Sequence, residues 1–462
     1  MFSSGHSLHF VGIGGIGMSG LAELCLGLGC RVSGSDARLG VVTARLQALG
    51  IAVHEGHAAG NVPASACAVV VTSAVKSDNP EVAEARRRGL PVVLRGEMLA
   101  ELMKGHRGVA VGGSHGKTTT SSMLAQAALA AGLNPTVFVG TLAPFLGGGN
   151  ARLGGEIFIT ECDESDGSFL ELAPEIALIT NIDREHLDYW KTFENAVAGF
   201  VRFANRVAYH GAVVACLDDA EVRAALPLVR RRVIRYGRCA DADLRILDDV
   251  SDAAGSRFRL RLREADWGEF HLRVLGGHNV LNAAAAAATL HELGVDLEAI
   301  RAGLAQYAGT GRRMELRGKA RGVTVMDDYG HHPTEVKATL NALRLAAPGR
   351  LGVLFQPHRY TGTLAFMHEC AGALGAADVV RVMEIYAASE PPIEGVTGQS
   401  LADRIRGRGH ADCRFAGNLA EAVQMLAAEL REGDLVLTLG AGSVTQAGEL
   451  LLKALEGESA HG

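Results

Sequence analysis

Three glycines near the start of the chain have the spacing of a nucleotide-binding loop. Gly12, Gly14 and Gly17 form a G-x-G-x-x-G pattern between the apolar run "LHFV" and an apolar, helix-like stretch. Glycines at this spacing permit a tight turn, and the amides at the start of the following helix bind a pyrophosphate. Asp36 lies 19 positions after Gly17, where dinucleotide-binding proteins carry an acid that binds the ribose. Taken alone, the pattern favours a nicotinamide-dependent oxidoreductase.

A second glycine loop, "GGSHGKTTT" at residues 112–120, has the composition of a phosphate-binding loop. Its spacing departs from the standard G-x-x-x-x-G-K pattern, because residue 111 is valine. The loop amides suit phosphates, Lys117 suits the terminal phosphates of a nucleoside triphosphate, and the Thr118 hydroxyl suits Mg2+. A strand-like run before the loop and a helical run after it favour this interpretation over an ordinary turn. This stretch indicates ATP rather than NAD.

Acidic residues follow the next two strand-like runs. The run "IFITE" ends at Glu161, and the run "IALITNID" leads to a second group. Mg2+ prefers oxygen ligands and commonly binds through one or two carboxylates together with phosphates. We expect Glu161 to be such a ligand, because its strand should run parallel to the strand that enters the phosphate loop. Most of the other acids are predicted to lie in solvated loops; the two groups comprise Asp163, Glu164 and Asp166, then Asp183, Glu185 and Asp188.

Two polar stretches follow strand-like runs in the last third of the chain. They are "DDYGHHP" at 327–333 and "FQPHRY" at 355–360. The planar guanidinium of Arg359 suits a carboxylate, because it donates two parallel hydrogen bonds. A surface loop with an exposed ion pair is the alternative interpretation.

The elements that position these motifs alternate between β-branched runs and helical stretches, which predicts parallel sheets covered by helices. Between about residues 240 and 275 the pattern changes to a period of two, which predicts a small antiparallel hairpin. A chain of 462 residues accommodates about three domains. We place them at 1–104, 105–311 and 312–462.

Composition excludes several classes of protein. A formal charge of −6 gives no broad positive field for nucleic acid. The sequence shows neither a targeting segment nor an apolar run that could span a membrane, so we expect a cytoplasmic protein without membrane partners. The eight cysteines form no C-x-x-C pair and are expected to be reduced.

Taken in order, these motifs resemble those of the Mur ligase family. The resemblance covers positions 9 to 398 and is carried by "HFVGIGGIGMSGLAE", "SGSD", "TSAVKSDNPE", "GGSHGKTTT", "ECDESDGSF", "TNIDREHLD", "GGHNVLNA", "RRME", "DDYGHHPTEV", "QPHRYTGT" and "YAASEPPIEGVTG". It implies an α/β fold of three domains: a Rossmann-like N-terminal domain, a central P-loop-type ATPase domain with a small antiparallel sheet, and a Rossmann-like C-terminal domain.

The resemblance also implies a reaction. A ligase of this kind uses ATP and Mg2+ to join L-alanine to the lactyl carboxylate of UDP-N-acetylmuramate through an acyl phosphate, a step of peptidoglycan precursor synthesis. In such ligases the first glycine loop holds the pyrophosphate of the UDP-sugar, so NAD is not implied.

Particular residues acquire roles by the same resemblance. Those expected to bind the UDP-sugar are Gly14, Gly15, Gly17, Met18, Asp36, His57, Asn61 and Ser73. Those expected to bind ATP are Gly113, Ser114, His115, Gly116, Lys117, Thr118 and Thr119, with Asn279 at the adenine, Arg313 at a phosphate and Asp328 at the ribose. Lys117, Glu161 and His186 would be catalytic; Thr118, Glu161 and His186 would bind magnesium; and Tyr329, His331 and Arg359 would receive the amino acid.

Two positions bear on the branch of the family. Some relatives carry a carbamylated lysine about fifteen residues after the equivalent of His186; this chain has "GFVRF" there, which fits the alanine-adding branch. Gly362 stands where relatives carry a second arginine, and Arg381 is a candidate replacement.

Three alternatives remain open at this stage. They are a ligase that attaches an intact murein tripeptide to the same UDP-sugar, the nicotinamide-dependent oxidoreductase, and a non-catalytic nucleotide-binding switch. A monomer and a homodimer are equally compatible with the sequence.

Overall fold

The computed structural model describes residues 5–347 and 349–457. Residue contacts divide the chain into two units: Met1–Asp248 with Phe258–His271 and Leu281–Tyr307, and Asp249–Arg257 with Leu272–Val280 and Ala308–Gly462. In the part of the chain that the structure describes, no helix has both the length and the hydrophobicity that crossing a membrane requires. The first unit contains the first predicted domain and most of the second, and the three-domain boundaries stay a prediction.

The first unit begins with a five-stranded parallel sheet in the order β3-β2-β1-β4-β5. Its strands are β1 (Ser7–Val11), β2 (Arg31–Asp36), β3 (Ala52–Glu55), β4 (Ala68–Val71) and β5 (Val92–Leu94). The helices between and after them are α1 (Ile16–Gly27), α2 (Val41–Ala48), α3 (Pro80–Arg87) and α4 (Arg95–Met103). Every residue of β1 is buried, as expected for a central strand that is covered on both faces.

A ten-stranded sheet follows along the chain, in the order β15-β14-β13-β12-β11-β10-β6-β9-β7-β8. Its strands are β6 (Arg107–Gly112), β7 (Thr136–Phe138), β8 (Ala151–Arg152), β9 (Ile157–Glu161), β10 (Ile176–Ile179), β11 (Ala212–Cys216), β12 (Val233–Gly237), β13 (Leu244–Asp252), β14 (Gly255–Leu262) and β15 (Ala265–Leu272). Its helices are α5 (Lys117–Ala130), α6 (Leu187–Trp190), α7 (Phe193–Asn205), α8 (Ala220–Ala225), α9 (Gly277–Glu292) and α10 (Leu297–Ala305).

Strand β6 lies between β9 and β10 and is parallel to both. Val111 pairs with Glu161, and Gly112 pairs with Ile179. The carboxyl ends of the three strands therefore meet at one edge of the sheet, where open α/β sheets bind their ligands. This register confirms the prediction that Glu161 leaves a strand parallel to the one that enters the phosphate loop.

The second unit contains a six-stranded sheet in the order β16-β17-β21-β18-β19-β20. Its strands are β16 (Glu315–Ala320), β17 (Val323–Asp328), β18 (Leu351–Phe355), β19 (Val379–Val382), β20 (Cys413–Phe415) and β21 (Leu435–Leu439). Its helices are α11 (Pro333–Ala346), α12 (Tyr360–Ala373), α13 (Gly398–Gly407), α14 (Leu419–Glu429) and α15 (Ala447–Glu456). Strand β16 is antiparallel to β17, and the other pairs are parallel, so the sheet is mixed.

One hydrophobic core extends between the first two sheets of the first unit. It includes Phe10 of β1 and Phe203 of α7, both fully buried, and Phe203 stacks on Phe169 at 5.1 Å between ring centroids. Asn150, also fully buried, donates through Nδ2 to Ile16 O (2.8 Å) and to Val139 O (3.2 Å). The start of α1 is thereby fixed to the segment that follows β7.

Candidate active site

The first glycine loop connects β1 to α1 and is anchored by the end of β2. Asp36 Oδ2 accepts a hydrogen bond from Gly14 N–H at 2.9 Å, and Ser35 O accepts from Gly12 N–H at 2.8 Å. Gly12 has φ +77°, a left-handed conformation that favours glycine. Gly15 immediately precedes α1, and Met18 is buried in the first turn of this helix. Gly17 lies against the side chain of Arg95, because a Cβ added to Gly17 would lie 3.0 Å from Arg95 Cδ.

Two further residues expected at the UDP-sugar converge on a residue that sequence reasoning missed. Glu81 of α3 is fully buried and accepts hydrogen bonds from Ser35 Oγ (2.6 Å) and Asn61 Nδ2 (2.7 Å). His57 Nδ1 lies 3.2 Å from Glu81 Oε2. Burial opposes ionisation of Glu81, but hydrogen bonds from His9, Ser35 and Asn61 outweigh it and lower its pKa to about 2. Ser73 is exposed in the turn after β4.

The second glycine loop connects β6 to α5 with the geometry of a phosphate-binding loop. Gly116 has φ +79° and immediately precedes α5, which begins at Lys117. The segment after β10 holds the loop by several bonds: Ser114 N–H to Asn181 O (3.0 Å), His115 N–H to Asn181 Oδ1 (2.8 Å), Thr180 Oγ1–H to His115 O (2.6 Å), and His115 Nε2 with Asp183 Oδ2 (2.8 Å). Gly113 packs against Thr180, because an added Cβ would lie 2.0 Å from its Oγ1.

Lys117 is held by the loop and by one acid. Its ammonium donates to Gly113 O (2.6 Å), Ser114 O (2.9 Å) and Glu164 Oε1 (2.9 Å). The prediction of a solvated loop is therefore wrong for Glu164, which is 2% exposed, because the loop after β9 folds inward over the phosphate loop. Burial raises the pKa of Glu164 to about 7, although the Lys117 charge acts in the opposite direction.

Thr118 and Glu161 offer oxygen atoms at the same position. Thr118 Oγ1 donates to Glu161 Oε1 at 3.0 Å, and Gly140 N–H donates to Glu161 Oε2 at 2.8 Å. A hydroxyl beside a carboxylate at the edge of a phosphate loop is a donor set that suits Mg2+. Thr119 is buried in the first turn of α5.

A second cluster of potential metal ligands surrounds His186. Ligand atoms of Glu164, Glu185 and His186 all lie within 4.8 Å of one another. His186 Nε2 is 3.6 Å from Glu164 Oε1, and burial lowers the pKa of His186, which favours the neutral imidazole that binds metals. Glu164 Oε2 is buried and has no hydrogen-bond partner among the described residues. Asp188 is exposed, as predicted, but lies in α6 and not in a loop, whereas Glu185 belongs to this cluster.

The remaining residues predicted to bind ATP belong to the second unit. Asn279 Nδ2 donates to Leu275 O at 2.8 Å. Arg313 lies over the Tyr329 ring at 5.2 Å, and its Nη1 is 3.5 Å from Glu335 Oε1. Asp328 is buried, and its two carboxylate oxygens accept from Met314 N–H (2.8 Å) and Gly330 N–H (2.7 Å). Their assignment to ATP stays a prediction.

Sequence reasoning missed Asn282 beside the phosphate loop. An added Cβ at Gly116 would lie 2.9 Å from Asn282 Oδ1, so this side chain packs directly on the residue that precedes α5. The stretch "GGHNVLNA" contains both asparagines, Asn279 and Asn282, and its second asparagine was the available signal.

The second unit groups the residues expected to receive an amino acid. Tyr329 contacts His331 with ring centroids 5.6 Å apart, and His331 contacts His358 at 5.0 Å. Arg359 follows His358 directly, and its Nη1 lies 3.8 Å from Glu390 Oε1. The structure therefore brings Tyr329, His331 and Arg359 to one region. Tyr386, stacked on His358 at 5.8 Å, is a further member that sequence reasoning did not single out.

Arg381 is not available to replace the arginine expected at Gly362. It is 1% exposed and pairs with Glu429 (Nε to Oε2, 2.8 Å) and Asp412 (Nη2 to Oδ1, 2.8 Å). Gly362 lies in the first turn of α12, where an added Cβ would meet no heavy atom within 4 Å.

Models of one family match almost the whole chain. They are "Mur ligase family, catalytic domain" at residues 7–107, "Mur ligase middle domain" at 111–290, and "Mur ligase, glutamate ligase domain" at 312–442. The chain therefore belongs to the Mur ligase family.

Within that family, its relatives include UDP-N-acetylmuramate–L-alanine ligases. The one from Solibacter usitatus is 54% identical over 99% of this chain and 97% of its own, and the one from Myxococcus xanthus is 49% identical over 98% and 97%. The crystal structure of UDP-N-acetylmuramate-alanine ligase from Thermotoga maritima covers 98% of this chain and 100% of its own, with a TM-score of 0.84 at 28% identity. A murein peptide ligase from Psychrobacter arcticus has a TM-score of 0.74 over 99% and 100% at 23% identity, which indicates a shared fold.

Proposed function

We propose that this protein is an ATP-dependent ligase that joins L-alanine to the lactyl carboxylate of UDP-N-acetylmuramate in peptidoglycan precursor synthesis. One observation carries the proposal: two glycine loops of different kinds lie in one compact unit. The second loop, after β6, leads to Lys117 and Thr118, and Glu161 lies beside them at the end of the neighbouring parallel strand β9. A nucleotide-sugar loop beside an ATP loop is what the activation of a sugar-borne carboxylate requires.

The reaction proceeds in two displacements. The lactyl carboxylate attacks the γ-phosphorus of ATP and expels ADP, which forms an acyl phosphate. The amine of L-alanine then attacks the acyl carbon, the amide C–N bond forms, the C–O bond to phosphate breaks, and the amine loses a proton. A free carboxylate does not react with an amine, so the first step supplies the leaving group.

The chain's own residues would act mainly by positioning and by charge. Phosphoryl transfer needs its phosphates held and its developing charge stabilised. We assign Lys117 to the β- and γ-phosphates, which requires its ammonium to exchange the Gly113 and Ser114 carbonyls for phosphate oxygens. Tyr329, His331 and Arg359 would hold the amino acid, with the guanidinium on its carboxylate.

Magnesium is part of the proposal, and the residues present fit it. Thr118 and Glu161 would hold one ion, and His186 with the acids around it a second. When bound, the ion neutralises phosphate charge. Because ATP and a nucleotide-sugar are its substrates, we place the enzyme in the cytoplasm.

Among the alternatives, the tripeptide ligase is favoured less. Relatives 49% and 54% identical over nearly the full length carry the name of the alanine ligase, whereas the murein peptide ligase shares the fold at 23% identity. An oxidoreductase would not explain the phosphate loop, and a non-catalytic switch would not explain the group of Tyr329, His331 and Arg359.

Mass spectrometry of the product tests the proposal. The protein is incubated with UDP-N-acetylmuramate, ATP, Mg2+ and an equimolar mixture of amino acids and murein tripeptide. We expect one new product, heavier than the UDP-sugar by alanine minus water, and phosphate release that requires both the sugar and alanine. A tripeptide adduct, or phosphate release without the sugar, would contradict it.

A further inference from the structure

Glu81 is a fully buried acid that hydrogen-bonds to residues around the first glycine loop. It joins three segments at the carboxyl edge of the first sheet: the end of β2 through Ser35, the loop after β3 through His57 and Asn61, and β1 through His9, whose Nε2 lies 3.8 Å from Glu81 Oε1. Ser35 also anchors the glycine loop, because its carbonyl accepts from Gly12 N–H. The acid is thus tied to the loop that the proposed function assigns to the UDP-sugar.

The hydrogen bonds of Glu81 determine which nitrogen of His57 carries a proton. The Ser35 hydroxyl donates its one hydrogen to Glu81 Oε2, so toward His57 Nδ1, 3.0 Å away, it acts only as an acceptor. Glu81 Oε2, 3.2 Å from the same nitrogen, is also an acceptor. Nδ1 therefore carries the hydrogen, and in the neutral ring Nε2 presents a lone pair.

The same carboxylate fixes the orientation of the Asn61 amide. Asn61 Nδ2 donates to Glu81 Oε1 at 2.7 Å and to Gly56 O at 3.1 Å, which uses both of its hydrogens. Among the described residues, Asn61 Oδ1 and His57 Nε2 have no hydrogen-bond partner, and the His57 side chain is 28% exposed.

We propose that Glu81 is a positioning residue that holds His57 Nε2 and Asn61 Oδ1 as a pair of acceptors for hydrogen-bond donors of the uridine. The imide N–H of uracil and the ribose hydroxyls supply such donors. Cytosine, which carries a lone pair at the equivalent ring nitrogen, does not offer the imide donor. The inference rests on the proposed function, since it names the part of the UDP-sugar that these atoms contact.

The test is a double-mutant cycle on the binding of UDP, measured by calorimetry with ATP as a second ligand. Glu81→Gln places a donor beside Nδ1 and Nδ2, and we expect it to weaken UDP binding about tenfold or more, as loss of hydrogen bonds to a charged or fixed partner does. His57→Gln should weaken UDP binding similarly. The double variant should be at most about threefold weaker than His57→Gln alone, because Glu81 acts partly through His57. ATP binding should be unchanged in each.

Glu84→Gln is the matched control. Glu84 lies one turn along α3 from Glu81 and pairs with Arg87 on the surface (2.7 Å), so the same substitution there should leave UDP binding unaltered. Effects of Glu81→Gln and His57→Gln that multiply in the double variant would overturn the proposal. If the wild-type protein binds ATP but not UDP, the proposed function fails instead.

A measurement on the unaltered protein keeps the proposal falsifiable if Glu81→Gln does not fold. Nitrogen-15 spectra of histidine-labelled protein at about pH 8, where histidine is neutral, are compared with those of His57→Gln to assign the His57 signals. We expect a protonated Nδ1 and an unprotonated Nε2 that shifts when UDP is added. A protonated Nε2 would overturn the proposal, as would equal binding of UDP, N3-methyl-UDP and 2′-deoxy-UDP.

Discussion

Lys117 is the residue on which the proposed phosphoryl transfer depends most. Its ammonium is bound by two carbonyls of the phosphate loop and by Glu164, and these contacts hold it beside the start of α5. We predict that Lys117→Ala abolishes ligation, because a charge-assisted contact to the transferring phosphoryl contributes ~3 kcal/mol or more to the transition state. Binding of UDP should remain nearly intact. Activity within about tenfold of wild type would show that the phosphate-loop assignment is wrong.

Glu161 and Glu164 follow the same strand but act differently. Glu161→Gln should remove magnesium-dependent turnover, because it weakens an anionic oxygen ligand beside Thr118. The sequence placed Glu164 in a solvated loop, where Glu164→Gln would change turnover little. In the structure Glu164 is instead the buried partner of Lys117. We now predict that Glu164→Gln lowers kcat about tenfold or more, because a buried charge loses its partner.

Asp188→Asn is the control for these two substitutions, since Asp188 is an exposed acid of the short helix α6. Steady-state rates against Mg2+ concentration distinguish the cases. Equal and small effects of all three substitutions would contradict both predictions, because neither glutamate would then contribute to turnover.

For single residues, the sequence predicted which side chains have the chemistry for a phosphate and metal site, but it did not predict which acids are buried. Lys117, Thr118 and Glu161 were predicted from a loop composition and a strand end, both of which are local properties. Glu81 and Glu164 were missed because an acid is normally exposed. Their burial depends on donors from distant segments, such as Asn61 for Glu81 and Lys117 for Glu164.

Among the elements, α4 links the two glycine loops. Arg95 at its start contacts Gly17 of α1, and its Nη2 pairs with Asp163 (3.0 Å) and Asp166 (3.8 Å) in the loop after β9. That loop also presents Glu164 to Lys117.

We predict that Arg95→Ala raises the KM values for both UDP-N-acetylmuramate and ATP, each about three- to tenfold, as loss of a partly exposed ion pair of ~1 kcal/mol implies. Arg87→Ala, which removes an exposed ion pair within α3, should change neither value. The measurement is initial rates with each substrate varied in turn. A change confined to one KM would show that Arg95 serves a single loop.

Strands with continuous apolar runs were predictable, and short edge strands were not. The strands β6, β9 and β10 that hold the phosphate loop are buried along nearly their whole length and read as strands in isolation. The strands β3, β16 and β20 carry no such run; in β16 only Ala320 is buried. Such strands form because a neighbouring strand offers unpaired backbone groups, and this information is not local.

Across the whole molecule, the candidate residues are distributed over both units. Both glycine loops lie in the first unit, and Tyr329, His331 and Arg359 lie in the second. The sequence indicated three α/β segments, but it did not indicate that the first two share one core. That core is made by side chains such as Phe10 and Phe203, which are distant in sequence, and periodicity shows only that each has a buried face.

We predict that a change beside the residues expected to receive the amino acid alters one kinetic constant. Gly362 stands where the family resemblance implies a second arginine that would share the alanine carboxylate with Arg359, and Arg381 is already paired with Glu429 and Asp412. A hydrogen bond to a charged group contributes ~1.5–3 kcal/mol, so we expect the absence of this arginine to weaken alanine binding by roughly ten- to a hundredfold. Open space at Gly362 leaves room for the longer side chain. Gly362→Arg should therefore lower the KM for L-alanine and leave those for ATP and UDP-N-acetylmuramate unchanged. Gly375→Arg, at another glycine with open space in the same unit, is the matched control and should change none of them. Initial-rate phosphate release against alanine concentration measures the effect, and an unchanged or higher KM in Gly362→Arg would show that this enzyme binds the alanine carboxylate without a second arginine.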